Sequence, residues 1–287
     1  MKIKIYSCHH NRPIFAATGD IFTPIWTGGE ADPAGRWITD LQGLNLHAAK
    51  DFNEMRQQFF AWRNLMEGVD YIGFEHYRRL FLLDPLPADE CGVRFPRVLE
   101  ARCAMAADTL LWRHDSDCET FAQYIHLRKS LTQSETEKLT EWVASHDIIA
   151  PRRHTFAPME VQWKQCQCPD SAWDAFVESI LASAFWRGRR NYLNFAQVGA
   201  HYCNMFIMKI GLFDEYMQFW SEVMFNVQAA VDRSMRYLGY LSERLFSLWV
   251  LQKQIENSLL RVVDVPYLFC PDEALGDAMA AAGLVPE

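Results

Sequence analysis

Residues 70–81 read Asp-Tyr-Ile-Gly-Phe-Glu-His-Tyr-Arg-Arg-Leu-Phe, an apolar run that changes character within one residue. Glu75, His76, Arg78 and Arg79 follow directly on Tyr71, Ile72 and Phe74. A carboxylate, an imidazole and two guanidiniums at the end of a buried strand are costly to desolvate unless they pair or hold something. Open α/β sheets take ligands just beyond the carboxyl ends of their strands. The pattern therefore predicts an active-site strand end whose arginines face an anion such as a diphosphate. The competing reading is a structural Glu–Arg ion pair. His146-Asp147-Ile148-Ile149-Ala150-Pro151-Arg152-Arg153 repeats the logic, a short apolar strand ending in two arginines. Two such ends in a chain of net charge -8 strengthen the case for an anionic ligand.

Other residues invite chemistry with less force. Ser7, Cys8, His9 and His10 lead from a first strand into the polar loop Asn11-Arg12-Pro13, a common ligand-holding place in α/β folds. For any single residue there, an ordinary surface loop is the competing reading. Asn204 interrupts an apolar stretch at 201–208, where its amide must organise either a turn or a ligand. Glu243-Arg244 lies in the first turns of a late helix among apolar neighbours. Cys166-Gln167-Cys168 lacks the second Cys/His pair of a zinc site. His114, Asp115, Asp117 and Glu119 read as a solvated loop, and Arg187, Arg189 and Arg190 as cations suited to a helix C-terminus. His9, His10, Asp70 and His76 could serve a metal-dependent hydrolase, but no H-x-D or H-E-x-x-H spacing supports that alternative.

The elements that must position these residues alternate. Residues 2–8 predict a first strand, with Ile3, Ile5 and Cys8 alternating against Lys4 and Ser7. Residues 18–45, rich in Gly, Asp, Thr and Pro, read as a long connection, and neither GxGxxG nor a Walker pattern occurs in it. Residues 51–67 predict a helix with Phe52, Met55, Phe59, Trp62 and Met66 on one stripe and Glu54, Arg56, Gln57 and Arg63 off it, with a C-cap at Gly68. Residues 84–100 read as irregular and 101–131 as mixed but mostly helical. Ser134 and Glu137 suggest a capping box. Further helices are expected at 171–186, 212–228 and 238–254, a strand at 201–208, and a last strand at 262–265. The alternation predicts an α/β fold with a mainly parallel or mixed sheet. Residues 1–270 are expected to form one domain and 271–287 a loosely held tail.

Composition excludes several classes. Half of the 287 residues are hydrophobic and 14% aromatic, enough for a substantial core. No apolar run reaches the roughly 20 residues of a membrane span. The strand-like start is unlike a signal peptide. The acidic balance argues against a nucleic-acid binder. Eight scattered cysteines suit reduced thiols in a cytoplasmic protein.

Several segments taken together resemble one bacterial family. They are 70–81, the preceding Phe60-Ala61-Trp62-Arg63-Asn64, Tyr-Cys-Asn-Met-Phe-Ile-Met-Lys at 202–209, and Glu243-Arg244-Leu245 within 239–249. The family is the glycosyltransferase-like one catalogued as domain of unknown function 4422, found in capsule, exopolysaccharide and O-antigen clusters. The resemblance covers about residues 2–270, and its HYRR and NMFIM segments are the specific ones. Two departures stand out. A family segment often reading Gly-Asp-Asn-Ile-Ser is Gly43-Leu44-Asn45-Leu46-His47 here, without the Asp, and Glu-Leu-Thr is Glu54-Met55-Arg56.

The resemblance implies a GT-A-like mixed sheet flanked by helices, with a helical C-terminal part. It implies transfer of a hexosyl unit from a nucleotide-diphosphate sugar, a UDP-hexose first among them, to a glycan or lipid-linked acceptor in surface polysaccharide synthesis. The place where this class carries a metal-holding Asp-x-Asp looks like the stretch after Phe74, which reads Glu75-His76-Tyr77-Arg78-Arg79, so no metal cofactor is expected, with Mg or Mn left open. Arg78 and Arg79 would neutralise the diphosphate, and His76, Asn45 and Asn204 would position the sugar. Ser7, Cys8, His9 and His10 would touch the nucleoside. Glu243 would be the acceptor-side base and Glu75 a donor-site organiser; a retaining enzyme would need no such base. The implied setting is the cytoplasm, with peripheral membrane association through the acceptor. A non-catalytic member that binds nucleotide sugar or polysaccharide is the alternative.

Overall fold

The computed structural model describes residues 1–13, 16–86, 113–115, 118–153, 158–165, 168–189, 199–231 and 237–270. The expectations for 87–112, for Cys166-Gln167, for Arg190 and for the tail 271–287 lie outside them, as do the side chains of His114 and Asp115 and all of Asp117.

Among these residues ten strands form one branched mixed sheet. Its centre is β1 (Ile3–His9) beside β4 (Tyr71–His76), paired in parallel from Ile3↔Tyr71 to Cys8↔His76. Parallel β2 (Phe22–Trp26) and β3 (Ile38–Thr39) continue outward from β1. The other edge of β4 is shared. Its first residues pair antiparallel with β8 (Phe206–Lys209), and its last pairs with β5 (Arg79–Phe81) across a hairpin. From β8 the sheet runs through β7 (Ile148–Pro151) to β9 (Val262–Val265), and from β5 through β10 (Tyr267–Phe269) to β6 (Arg113–Asp115). β7 and β4 are both antiparallel to β8, so they point the same way. The arginines after both strands therefore lie on one edge of the sheet, two strand spacings or roughly 10 Å apart.

Two apolar layers sandwich the sheet. One gathers Cys8, Ile72, Phe74 and Phe206 from the strands with five helices, α1 (Met55–Asn64), α4 (Met159–Gln165), α5 (Asp170–Ala182), α6 (Ile210–Ala230) and α7 (Tyr237–Glu256). The other gathers Ile3, Ile5, Tyr71 and Ile207 with α2 (Cys118–Lys129) and α3 (Gln133–Ala144). Burial on both faces explains why the strands read as near-continuous apolar runs. At Gly73 an added Cβ would lie 2.6 Å from Ile207 Cγ1, so the glycine permits the β4–β8 approach.

Several local expectations are corrected. Residues 18–45 hold β2 and β3; Pro24 hid β2, but it lies where β3 does not reach, so its missing N–H costs no ladder bond. The first helix is Met55–Asn64 after a 3-10 turn at Lys50–Phe52, the two separated by Asn53 at φ 51. Its cap is Leu65, and Gly68, at φ 66, makes the left-handed turn into β4. The capping box is Thr132 with Glu135; the S/T-x-x-E pattern occurs twice in six residues, and the earlier copy lengthens the helix. Residues 201–205 are a turn rather than strand, because Cys203 and Asn204 both take positive φ, 76° and 49°. The helix α4 has no counterpart in the sequence reading.

Candidate active site

Strand alternation sorts the candidate residues onto two faces. Ser7, His9 and Glu75 point toward α2, while Cys8 and His76 point toward α1 and α7. Toward α2, Glu75 is 2% exposed. Both its oxygens accept from Arg128 Nη2, at 3.0 and 2.8 Å, and Oε1 also accepts from the Phe81 amide at 2.8 Å. Burial pushes its carboxyl up, and Arg128 and the amide offset part of that. His9 is buried with Nε2 3.0 Å from Ser7 Oγ, and burial holds its imidazole down at about 3. The remaining void, bordered by Ser7, His9, Tyr77 and Arg128, has about 10 Å³ of room, enough for one water. This face is closed.

The other face is open at its rim. His76 ends β4, and its Nε2 lies 2.7 Å from Glu54 Oε1. Glu54 immediately precedes α1, which brings its carboxylate back over the sheet edge. His10, one residue past β1, places Nε2 3.6 Å from the same oxygen. Burial alone would raise Glu54, but His76 and His10 outweigh it and hold the carboxyl well below its usual range. Burial depresses His76, partly countered by Glu54. Arg79 stands opposite His76 in the hairpin, on the same face. Arg79 also stacks over Phe269, and Arg78 over Tyr77, with guanidinium carbons 5.1 and 5.2 Å from the ring centres. Arg78 Nε is buried without a hydrogen-bond partner among the described residues.

The helix α7 and the 203–204 turn close the far side. Glu243 Oε1 accepts the Cys203 amide at 2.8 Å. Burial raises its carboxyl to about 7, partly countered by Arg244 and that amide, while part of its surface stays exposed. Asn204 donates from Nδ2 to Gly239 O at 3.2 Å, and its backbone carbonyl accepts from Gln58 Nε2 at 2.6 Å. Its buried Oδ1 has no partner among the described residues. A Cβ at Gly239 would lie 2.0 Å from Asn53 Nδ2, so helix α7 runs close beside the segment that carries Glu54. Two consecutive non-glycine residues at positive φ cost roughly 1–3 kcal/mol each, strain that gathers at functional sites.

Of the residues singled out in the sequence, His76, Arg79, Asn204 and Glu243 converge on the open face. Ser7, His9 and Glu75 lie on the other, Cys8 is buried with its thiol pushed up, and Asn45 bonds within its own loop to Gly43 and His47. Asp70 sits at the opposite end of β4 from His76, roughly 20 Å away at about 3.3 Å per residue, which separates the proposed hydrolase ligands. The residues that sequence reasoning missed are Glu54 and Cys203. Glu54 gave one usable signal, a carboxylate just before a helix that had to start at the sheet edge.

The family model for domain of unknown function 4422 matches residues 4–254, which include His10, Glu54, His76, Arg79, Asn204 and Glu243. The chain belongs to the DUF4422 family. No curated protein sequence matches it. Among solved structures, the apo form of the bifunctional glycosyltransferase WbbM is similar, with a TM-score of 0.71 at 18% identity. The match covers 95% of this chain and 46% of that one, so this DUF4422 chain spans less than half of WbbM's length. The likeness establishes the glycosyltransferase-like α/β fold expected from the motifs. Glu75, in the stretch compared above with an Asp-x-Asp, is paired with Arg128 on the closed face. Among the described residues, no helix is long and apolar enough to cross a membrane.

Proposed function

We propose that this protein is a glycosyltransferase that moves a hexosyl unit from a nucleotide-diphosphate sugar, UDP-linked first among candidates, to a glycan or lipid-linked acceptor of bacterial surface polysaccharide. The observation that carries the reading is that Glu243 lies within the electrostatic reach of Arg79 and Glu54, which stand beside His76 at the carboxyl edge of a glycosyltransferase-like sheet. Arg79 and Arg78 would take the diphosphate oxygens, and Arg152 and Arg153 lie on the same edge. The free Oδ1 of Asn204 would accept from a sugar hydroxyl. Glu243, raised to about 7, suits a general base near neutral pH. In a single displacement it takes the acceptor hydroxyl proton as the new glycosidic bond forms and the bond to the diphosphate breaks. Glu75 is then a positioning residue, since it holds the Phe81 amide and so fixes the hairpin that presents the arginines. A lipid-linked acceptor would bring the cytoplasmic enzyme to the membrane face.

The test is calorimetry with UDP and UDP-hexoses, followed by a transfer assay. Binding with sugar transfer is expected. Failure of every nucleotide to bind at millimolar concentration would sink the reading, and binding without turnover would leave a non-catalytic nucleotide-sugar binder.

A further inference from the structure

We propose that His10, Glu54 and His76 form a binding site for a divalent first-row transition ion. The three donors come from separate segments, the end of β1, the approach to α1 and the end of β4, and their nearest ligand atoms all lie within 4.8 Å of one another. Glu54 Oε1 sits between the two rings, 2.7 Å from His76 Nε2 and 3.6 Å from His10 Nε2. Metal–ligand bonds of about 2.1 Å put neighbouring donors about 3.0–3.5 Å apart, so the observed spacings bracket those of a filled site. Little has to move. Glu54 and His76 are largely buried, and His10 has 35% of its side chain exposed. Tyr77 stacks on the His76 ring at 4.6 Å and meets the His10 ring edge-on, which limits how both rings can turn.

Chemistry selects the ion. Two imidazole nitrogens and one carboxylate suit Mn, Fe, Co, Ni or Zn rather than Mg or Ca, which prefer oxygen. Three ligands with one exposed side leave coordination positions open. Two terms oppose binding. Arg79 contributes like charge near His76. In addition, Nε2 must lose its proton, and the ring proton then moves to Nδ1, against the Arg78 amide 3.4 Å away. That contact is at the long limit of a hydrogen bond, so its loss is small. The inference does not rest on the transferase reading, and it departs from the metal independence expected from the missing Asp-x-Asp.

The experiment strips the full chain with a chelator and titrates it with Zn²⁺, Mn²⁺ and Co²⁺ separately. Calorimetry and visible absorption of Co²⁺ are the readouts. One ion per chain at micromolar concentration is expected, with a Co²⁺ band altered by each variant. The variants are His10→Ala, at an exposed position, and Glu54→Gln, which keeps a partner for His76. Losing an outer-shell partner costs about 10–100-fold in affinity, so loss of a ligand should cost at least that. Absence of saturable binding by any of the three ions would overturn the proposal. So would stoichiometric binding of undiminished affinity in both folded variants, since the ion would then sit elsewhere.

Discussion

Two carboxylates stand at the same edge of the same sheet and have opposite fates. Glu75 is sealed by two bonds from Arg128 and one from a backbone amide, beside a void with room for one water. Glu54, on the other face of β4, meets two imidazoles and open solvent, with Glu243 and Arg79 in its field. The difference is one of saturation. A buried charge whose hydrogen-bonding capacity is filled by protein has nothing left for a ligand. A charge held at a rim by weaker partners can still exchange them. The arginine pairing considered for Glu75 from the sequence does exist, but the partner is Arg128, 53 residues away, and not the adjacent Arg78 or Arg79.

The largest expected effect tests the closed face. Arg128→Met leaves Glu75 buried without its counter-charge and should lower stability by about 3–5 kcal/mol in urea unfolding. Glu75→Met with Arg128→Met should recover most of that loss, because the penalty lies in the orphaned charge. A single variant as stable as wild type would end the distinction between the faces.

On the open face the next effect is kinetic. Glu243→Gln should lower turnover by at least about a hundredfold while nucleotide binding stays intact. Turnover near wild type would remove Glu243 as base and favour a retaining displacement.

Arg79→Ala and Arg78→Ala should each weaken UDP binding by about tenfold to a hundredfold, the value of a charge-assisted bond to phosphate at roughly 1.5–3 kcal/mol. Melting temperatures should change little, since neither makes an ion pair with a carboxylate among the described residues. Variants that melt far below wild type but bind normally when folded would move these arginines to the structural side of the comparison.

The smallest effect is in pH. A base at about 7 is ionised above that value and protonated below it, so kcat/KM should fall about tenfold per unit as pH drops below 7. Stability runs the other way. Because folding raises the Glu243 carboxyl, its contribution is fully present below its ordinary value of 4.5 and is lost as pH rises toward 7. Glu243→Gln should flatten both dependences.

Much of the fold was legible. The stripe of Met55, Phe59 and Trp62, the apolar run before Glu75, and the leucines of α7 follow from residue period alone, because burial repeats every 3.6 or 2 residues whatever the partner. HYRR and NMFIM were specific enough to place the family. Strands β2 and β3 escaped notice because short parallel strands are made by their neighbours, not by local preference. In the site, His76, Arg79, Asn204 and Glu243 were named beforehand, while Glu54 lay off the helix stripe and looked like surface.

The sequence by itself determined that charged groups end two strands and that alternation must part Glu75 from His76. It did not determine which side of β4 is sealed. That was decided by where α2 and α1 pack. Arg128 reaches Glu75 only because α2 covers one face, and Glu54 reaches His76 only because α1 starts at the sheet's rim. Pairing of charges distant in the chain is set by the docking of helices on the sheet, and local residue patterns carry no record of it.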